Sequence, residues 1–156
     1  MAACDVCESE GLEVTSFSPD TQKAINDLLP PLAIRTNPVD MGPAWYDSAA
    51  IAGIVRTVLE DERVDGILLF MMFASANRES VAGMSDFLIE ARQKKPVVAC
   101  LSAPPGIWDE QVLALEKKGA LINVPTPERA ARSMANLWEY KKTINRVPYE
   151  SNTCAH

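Results

Sequence analysis

Few of the chain's 156 residues carry acid–base, nucleophilic or metal-binding chemistry, and their spacing narrows the options further. The single histidine is the terminal His156, and four cysteines stand at positions 4, 7, 100 and 154. A lone terminal histidine leaves no histidine for a triad, for a zinc site in the core or for a phosphohistidine. Cys4 and Cys7 have the CxxC spacing of redox and metal motifs, and Cys154 with His156 would complete a set of three cysteines and one histidine. Half of that set lies in a polar tail, and redox motifs of this spacing sit at a helix start after a strand. Cys4 and Cys7 therefore read as two unrelated thiols on a short helix, with no metal site. Cys100 lies in the apolar run Pro96 to Leu101 and serves as a small hydrophobe. Cysteines this sparse form no disulfide framework, which points to free thiols in a cytoplasmic protein.

The remaining candidates are small polar residues in loops. Ala74-Ser75-Ala76-Asn77 joins an apolar strand to a helix, and its small side chains and unbonded N–H groups suit an approaching anion; plain helix capping by Ser75 or Asn77 explains the same residues. Asn37-Pro38-Val39-Asp40 is a compact polar turn in which Asp40 can orient a base or hydroxyl or simply close an Asx turn. Ser102 opens a loop whose Pro104 and Pro105 remove two donors, so it lines a crevice at most. No GxSxG, GxGxxG or GxxxxGK[ST] pattern occurs, so no catalytic residue is assigned.

Hydrophobic period and turn chemistry give the elements that hold these loops. Residues 2–10 predict a helix stopped by Gly11, and Glu13 to Phe17 a strand. Ser18-Pro19-Asp20 is an N-cap, a proline at N1 and an acid in the first turn, opening a helix to about Leu29. A loop follows to Trp45. Ala50, Ile51, Ile54, Val55, Val58 and Leu59 mark one helix face. Gly66 to Phe73 then reads as a strand buried on both faces, as in a parallel sheet. A helix with Val81, Met84, Phe87 and Leu88 inward, a strand at 96–101, a helix ending at Gly119, a strand at 120–124 and a helix opened by Thr126-Pro127-Glu128 complete the series. Strands alternating with helices predict an α/β fold with a doubly wound parallel sheet over residues 1–146, and residues 147–156 read as a disordered tail.

The charge balance excludes other classes. Fifteen Lys and Arg against 21 Asp and Glu give a net charge of −6, which offers no general attraction to phosphate backbones or anionic lipid. The longest apolar run, Gly66 to Ala76, falls short of the roughly 20 residues of a membrane helix. Neither nucleic acid nor a membrane is an expected partner.

Taken in order, CESEGLEV, DTQKAINDLLPP, TNPVD, LEDERVDGILL, KKPVVAC and EKKGALINVPTPERAARSMANLWEY resemble the flavodoxin-like, succinyl-CoA-synthetase-type domain of NDP-forming acyl-CoA synthetases. The likeness runs from about residue 2 to residue 146, and its most specific pieces are Asn37-Pro38-Val39-Asp40 and Pro125 to Ala130. It implies an enzyme that joins a carboxylic acid to CoA using ATP or GTP, with Mg, through acyl-phosphate and phosphohistidine intermediates. It also implies partners: a CoA-binding and phosphohistidine-bearing unit and an ATP-grasp nucleotide-binding unit. This chain resembles the domain without the histidine, supplying a docking surface and, at Ala74 to Asn77, a helix start near the phosphohistidine. CoA and nucleotide would be held by the assembled enzyme and no cofactor by this chain. The family's first strand and glycine-rich turn, which would precede Met1, are lacking, so the resemblance implies a truncated chain, a split subunit or a degenerate relative. The edge of residues 66–73 would then stand open to a homodimer, a partner subunit or a foreign strand. A standalone interaction module that kept the fold and lost the chemistry is the alternative.

Overall fold

The computed structural model describes residues 2–146. Three helices precede the first strand, and helices and strands alternate from there: α1 (Ala2–Ser9), α2 (Pro19–Leu28), α3 (Ser48–Glu60), β1 (Ile67–Met72), α4 (Ser80–Ala91), β2 (Val97–Ser102), α5 (Asp109–Lys117), β3 (Ile122–Asn123) and α6 (Pro127–Arg146). Single 3-10 turns lie at Gly42–Ala44 and Ser75–Asn77. The expected boundaries hold because local chemistry sets them. Ser18 caps α2 by accepting the N–H of Thr21 at 3.2 Å, with Pro19 behind it. Gly11 ends α1 at φ +74, where a side chain would be strained, and the Leu12 N–H closes back on the Cys7 carbonyl at 2.8 Å.

The strands form one parallel sheet in the order β1-β2-β3, with Ile67 beside Val97 and Val98 beside Ile122. Helices cover both faces, as the doubly wound reading requires. On one face α2 packs on α3, α3 on α4 and α4 on α5, burying Ile25, Ile54, Val81, Leu88 and Leu115 against Ile67 and Met71. On the other, α1 leans on α6, and α6 lies across β2 and β1, with Ala130 and Met134 against Val98. Gly66 admits this approach: a Cβ there would stand 2.9 Å from Met134 Sδ.

Two features differ from the sequence-based reading. Residues 13–17 belong to no strand. β1 is not buried on both faces: Phe70 is 42% and Met72 69% exposed, because β1 is an edge strand and α6 covers its face only toward the Leu68 end. The opposite edge is closed. The outward N–H of Asn123 in β3 donates to Glu116 Oε1 at 2.9 Å, and Asn123 Oδ1 accepts the Leu101 N–H at 2.9 Å. The tail expected at residues 147–156 lies outside the described residues.

Candidate functional site

The carboxyl ends of β1 and β2 deliver two loops to one edge of the sheet, where ligands of open α/β sheets bind. These loops are fastened together. The Phe73 N–H donates to the Ser102 carbonyl at 2.7 Å, and Trp108, 2% exposed, donates from Nε1 to the Arg78 carbonyl at 2.8 Å. The Phe73 and Trp108 rings meet edge to face at 5.6 Å. Below the turn the Ser80 hydroxyl, fully buried, pairs with that of Ser48 at 2.8 Å. The platform is therefore ordered by specific polar contacts as well as by packing.

Within Ala74 to Asn77 the four residues have different roles. Asn77 is fully buried; its Oδ1 accepts the Ala74 N–H at 2.8 Å and its Nδ2 donates to the Met72 carbonyl at 2.9 Å. Asn77 thus shapes the turn, and Ala74's N–H is already spent. Ser75 and Ala76 are the exposed members. The helix begins later than the sequence suggests: residues 75–77 form a 3-10 turn, and α4 starts at Ser80 with Glu79 at its N-cap. A carboxylate at that position competes with an incoming anion for the helix's positive end.

Asn37 and Asp40 sit in a separate cluster. Asn37 Nδ2 donates to the Thr15 carbonyl at 2.9 Å, Asp40 Oδ1 accepts the Gly42 N–H at 2.9 Å, and the backbones of Ile34 and Asp40 exchange two 2.9 Å bonds. Asn37 and Pro38 line an open cleft of about 650 Å³ with Cys4, Asp5 and Glu8 of α1 and with residues 11–14. No hydrogen bond among the described residues joins this cluster to the 74–77 turn. Ser102, at the exposed end of β2, belongs to the turn's side through its carbonyl.

Cys7 and Cys100 carry no reactive signature. Burial, and then the neighbouring Cys4, push the Cys7 thiol up, and burial does the same for Cys100, which leaves both protonated near neutrality. Among the described residues no group of three or more His, Cys, Asp or Glu could hold a metal ion. One buried carboxylate escaped the sequence reading. Burial pushes the acidity of Asp61 the unfavourable way, yet bonds from the Arg63 N–H at 2.9 Å and the Ser18 N–H at 2.8 Å bring its carboxyl below the ordinary range. It ties the start of α2 to the end of α3.

Comparison with known proteins bears on what this platform belongs to. No family model matches the sequence. Over 149 residues it is 27% identical to the alpha subunit of the ADP-forming acetate–CoA ligase II of Pyrococcus furiosus, covering 90% of this chain and 31% of that subunit. A crystal structure of a Pyrococcus horikoshii protein superposes with a TM-score of 0.77 at 26% identity, over 91% of this chain and 33% of the other. The chain is thus similar to one part of an ADP-forming acetate–CoA ligase subunit. The fold agrees with that relationship: the dinucleotide-forming acetyl-coenzyme A synthetase 1 of Candidatus Korarchaeum cryptofilum superposes at a TM-score of 0.74, 24% identical over 92% of this chain and 31% of its own length. The same synthetase is also known in complex with phosphate and ADP. The chain thus spans about one third of the length of the proteins it matches, and no helix among its described residues is long and apolar enough to cross a membrane.

Proposed function

We propose that this chain works as the flavodoxin-like domain, residues 1–146, of an NDP-forming acyl-CoA synthetase. In the complete enzyme a carboxylic acid, CoA and ATP or GTP with Mg yield acyl-CoA, nucleoside diphosphate and phosphate. The carrying observation is that the match to the acetate–CoA ligase subunit takes in 90% of this chain and 31% of the subunit, which makes the chain one piece of a larger machine. Its residues fit a supporting part. The only histidine is the terminal one, so the phosphohistidine and the nucleotide site must come from partner units, a CoA-binding histidine-bearing unit and an ATP-grasp unit. This chain contributes the platform of the 73–80 and 102–108 loops as a docking surface.

The same proposal includes a phosphate-facing role for Ala74 to Asn77, narrowed by the geometry to the exposed Ser75 and Ala76, with Asn77 holding the turn from within. The short 3-10 turn and the Glu79 carboxylate make binding by this chain alone weak and salt-sensitive. A partner that excludes water and adds positive charge would strengthen it. The decisive experiment mixes the purified chain with its histidine-bearing and ATP-grasp partners and measures acyl-CoA. Activity that requires this chain supports the reading, and the chain alone is expected to form neither acyl-CoA nor acid-labile phosphate. Full activity from the partners without it would establish a noncatalytic module instead.

A further inference from the structure

The segment between α2 and α3 buries the wrong side chains for a loop that serves only as a connection. Ala33, Val39, Met41 and Ala44 rest on the core, while Leu32 is 86%, Tyr46 49% and Trp45 39% exposed. The two aromatic rings, which have the most apolar surface to gain from burial, are among those left in water. The backbone beneath them is nevertheless held throughout. The Ala33 N–H donates to the Pro30 carbonyl at 3.0 Å, and the N–H groups of Ala44, Trp45 and Asp47 turn back on the carbonyls of Met41, Gly42 and Ala44 at 2.9–3.3 Å. Gln22 Nε2 ties in the Arg35 carbonyl at 2.8 Å, and Arg35 Nε donates to that of Pro30 at 3.2 Å. Apolar side chains held outward on an ordered backbone form a contact surface whose ordering entropy is already spent.

The three side chains belong to one neighbourhood. A Cβ at Gly42 would stand 3.4 Å from the Leu32 carbonyl oxygen, the Trp45 N–H donates to the Gly42 carbonyl, and the Trp45 and Tyr46 rings meet edge to face at 6.3 Å. Tyr46 stands two residues before Ser48, whose hydroxyl pairs with that of Ser80. The patch therefore lies on the same edge of the sheet as the 73–80 loop. At the helix starts along that edge the exposed Asp47, Glu79, Asp109 and Glu110 outnumber the exposed Arg78. An apolar centre inside a charged rim is the layout of a protein interface.

We infer that Leu32, Trp45 and Tyr46 anchor the histidine-bearing, CoA-binding unit of the assembly. The inference rests on the ligase reading and adds the residues that carry the affinity, since exposed Trp and Tyr side chains become the strongest anchors once a partner covers them. Charge selects the occupant. A unit that holds CoA and a phosphohistidine surrounds its anions with positive groups, which an acidic rim complements. A second copy of this chain, with a net charge of −6, would bring like charge against it. The turn at 74–77, to which the same reading gives the phosphohistidine, shares this edge through the Ser48–Ser80 pair.

The test uses the full chain and the separately purified histidine-bearing unit. Hydroxyl-radical footprinting is read at Trp45 and Tyr46, with Tyr140 as internal control; Tyr140 is exposed and adjoins the Lys141–Asp65 ion pair at the opposite edge of the sheet. Complex formation is expected to lower labelling of Trp45 and Tyr46 at least about fivefold, as desolvation of central anchors requires, and to leave Tyr140 unchanged. Trp45→Ala and Tyr46→Ala should each weaken the complex at least about tenfold by titration calorimetry, and Tyr140→Ala should not. A complex that forms acyl-CoA while Trp45 and Tyr46 stay labelled overturns the inference and leaves the ligase reading standing. Protection given instead by the ATP-grasp unit, or by a dimer of the chain alone, also overturns it. Absence of both complex and activity refutes the ligase reading and this inference with it. If the alanine variants fail to fold, the wild-type footprint decides alone.

Discussion

Asn77→Ala is the substitution whose cost the structure specifies most directly. The side chain is fully buried and makes two bonds, from the Ala74 N–H at 2.8 Å and to the Met72 carbonyl at 2.9 Å. Met72 is exposed, so water can replace the donor at its carbonyl, but the partly buried Ala74 N–H loses its acceptor. One orphaned donor costs about 1–3 kcal/mol and the second bond about 0.5–1.5 kcal/mol net, giving roughly 1.5–4.5 kcal/mol. For a domain of this size that lowers Tm by roughly 3–18 °C. Urea unfolding followed by far-UV circular dichroism measures it as a fall in midpoint at unchanged slope. Asn77→Asp separates the two bonds. Protonated, the acid can still donate to Met72; ionised, it places a charge in the core against a carbonyl. Burial raises its folded pKa, so the variant should be close to wild type below about pH 4 and lose stability as pH rises past the unfolded value of about 3.9. A cost for Asn77→Ala below 0.5 kcal/mol, or an Asn77→Asp pH profile parallel to wild type, would refute the assignment of Asn77 as the internal brace of the turn.

Asp61 has the opposite sign: its folded pKa is depressed, so its contribution is complete above the unfolded value of about 3.9 and disappears as pH falls through the folded one. Asp61→Asn should therefore flatten the acid limb of a stability–pH curve measured by urea titration between pH 2 and 7. Trp108→Phe deletes the bond to the Arg78 carbonyl and should cost about 1–3 kcal/mol, with loss of near-UV ellipticity as the two loops loosen. Gly66→Ala pushes a methyl toward Met134 Sδ, the far end of a flexible side chain, so a modest loss of about 1 kcal/mol is expected. Gly66→Val should cost clearly more, and equal midpoints for the two variants would contradict the close approach of α6.

The helix boundaries were legible because they depend on adjacent residues: Ser18 with Pro19 and Asp20, Thr126 with Pro127, Gly11 after α1. Each fixes its own few dihedrals whatever surrounds it. The parallel sheet followed from the apolar run of β1 and from Pro96 to Leu101. The exposed face of β1 was not legible, since hydropathy records what a strand can bury and not whether a neighbour is present to bury it. Glu13 to Phe17 has the composition of a strand but belongs to none, because pairing is a property of two segments and cannot be read from either. The polar framework was hidden for the same reason. Asn77 has the look of a cap, and its inward orientation depends on the Met72 carbonyl five residues away. Asp61 reads as the last residue of a charged helix end, and its role arises only where Ser18 arrives from forty-three positions earlier.

The carboxylate of Glu116 on the outer N–H of Asn123 makes the sheet chemically one-sided. A sheet able to recruit strands at both margins can add units without limit, and its products are fibres. Here one margin is stoppered by a side chain of its own crossover helix, so recruitment at the other has a valence of one. Any strand added at β1 would terminate growth instead of propagating it. An apolar edge that would be a liability in a symmetric sheet can thus be kept in this one at low risk of polymerisation.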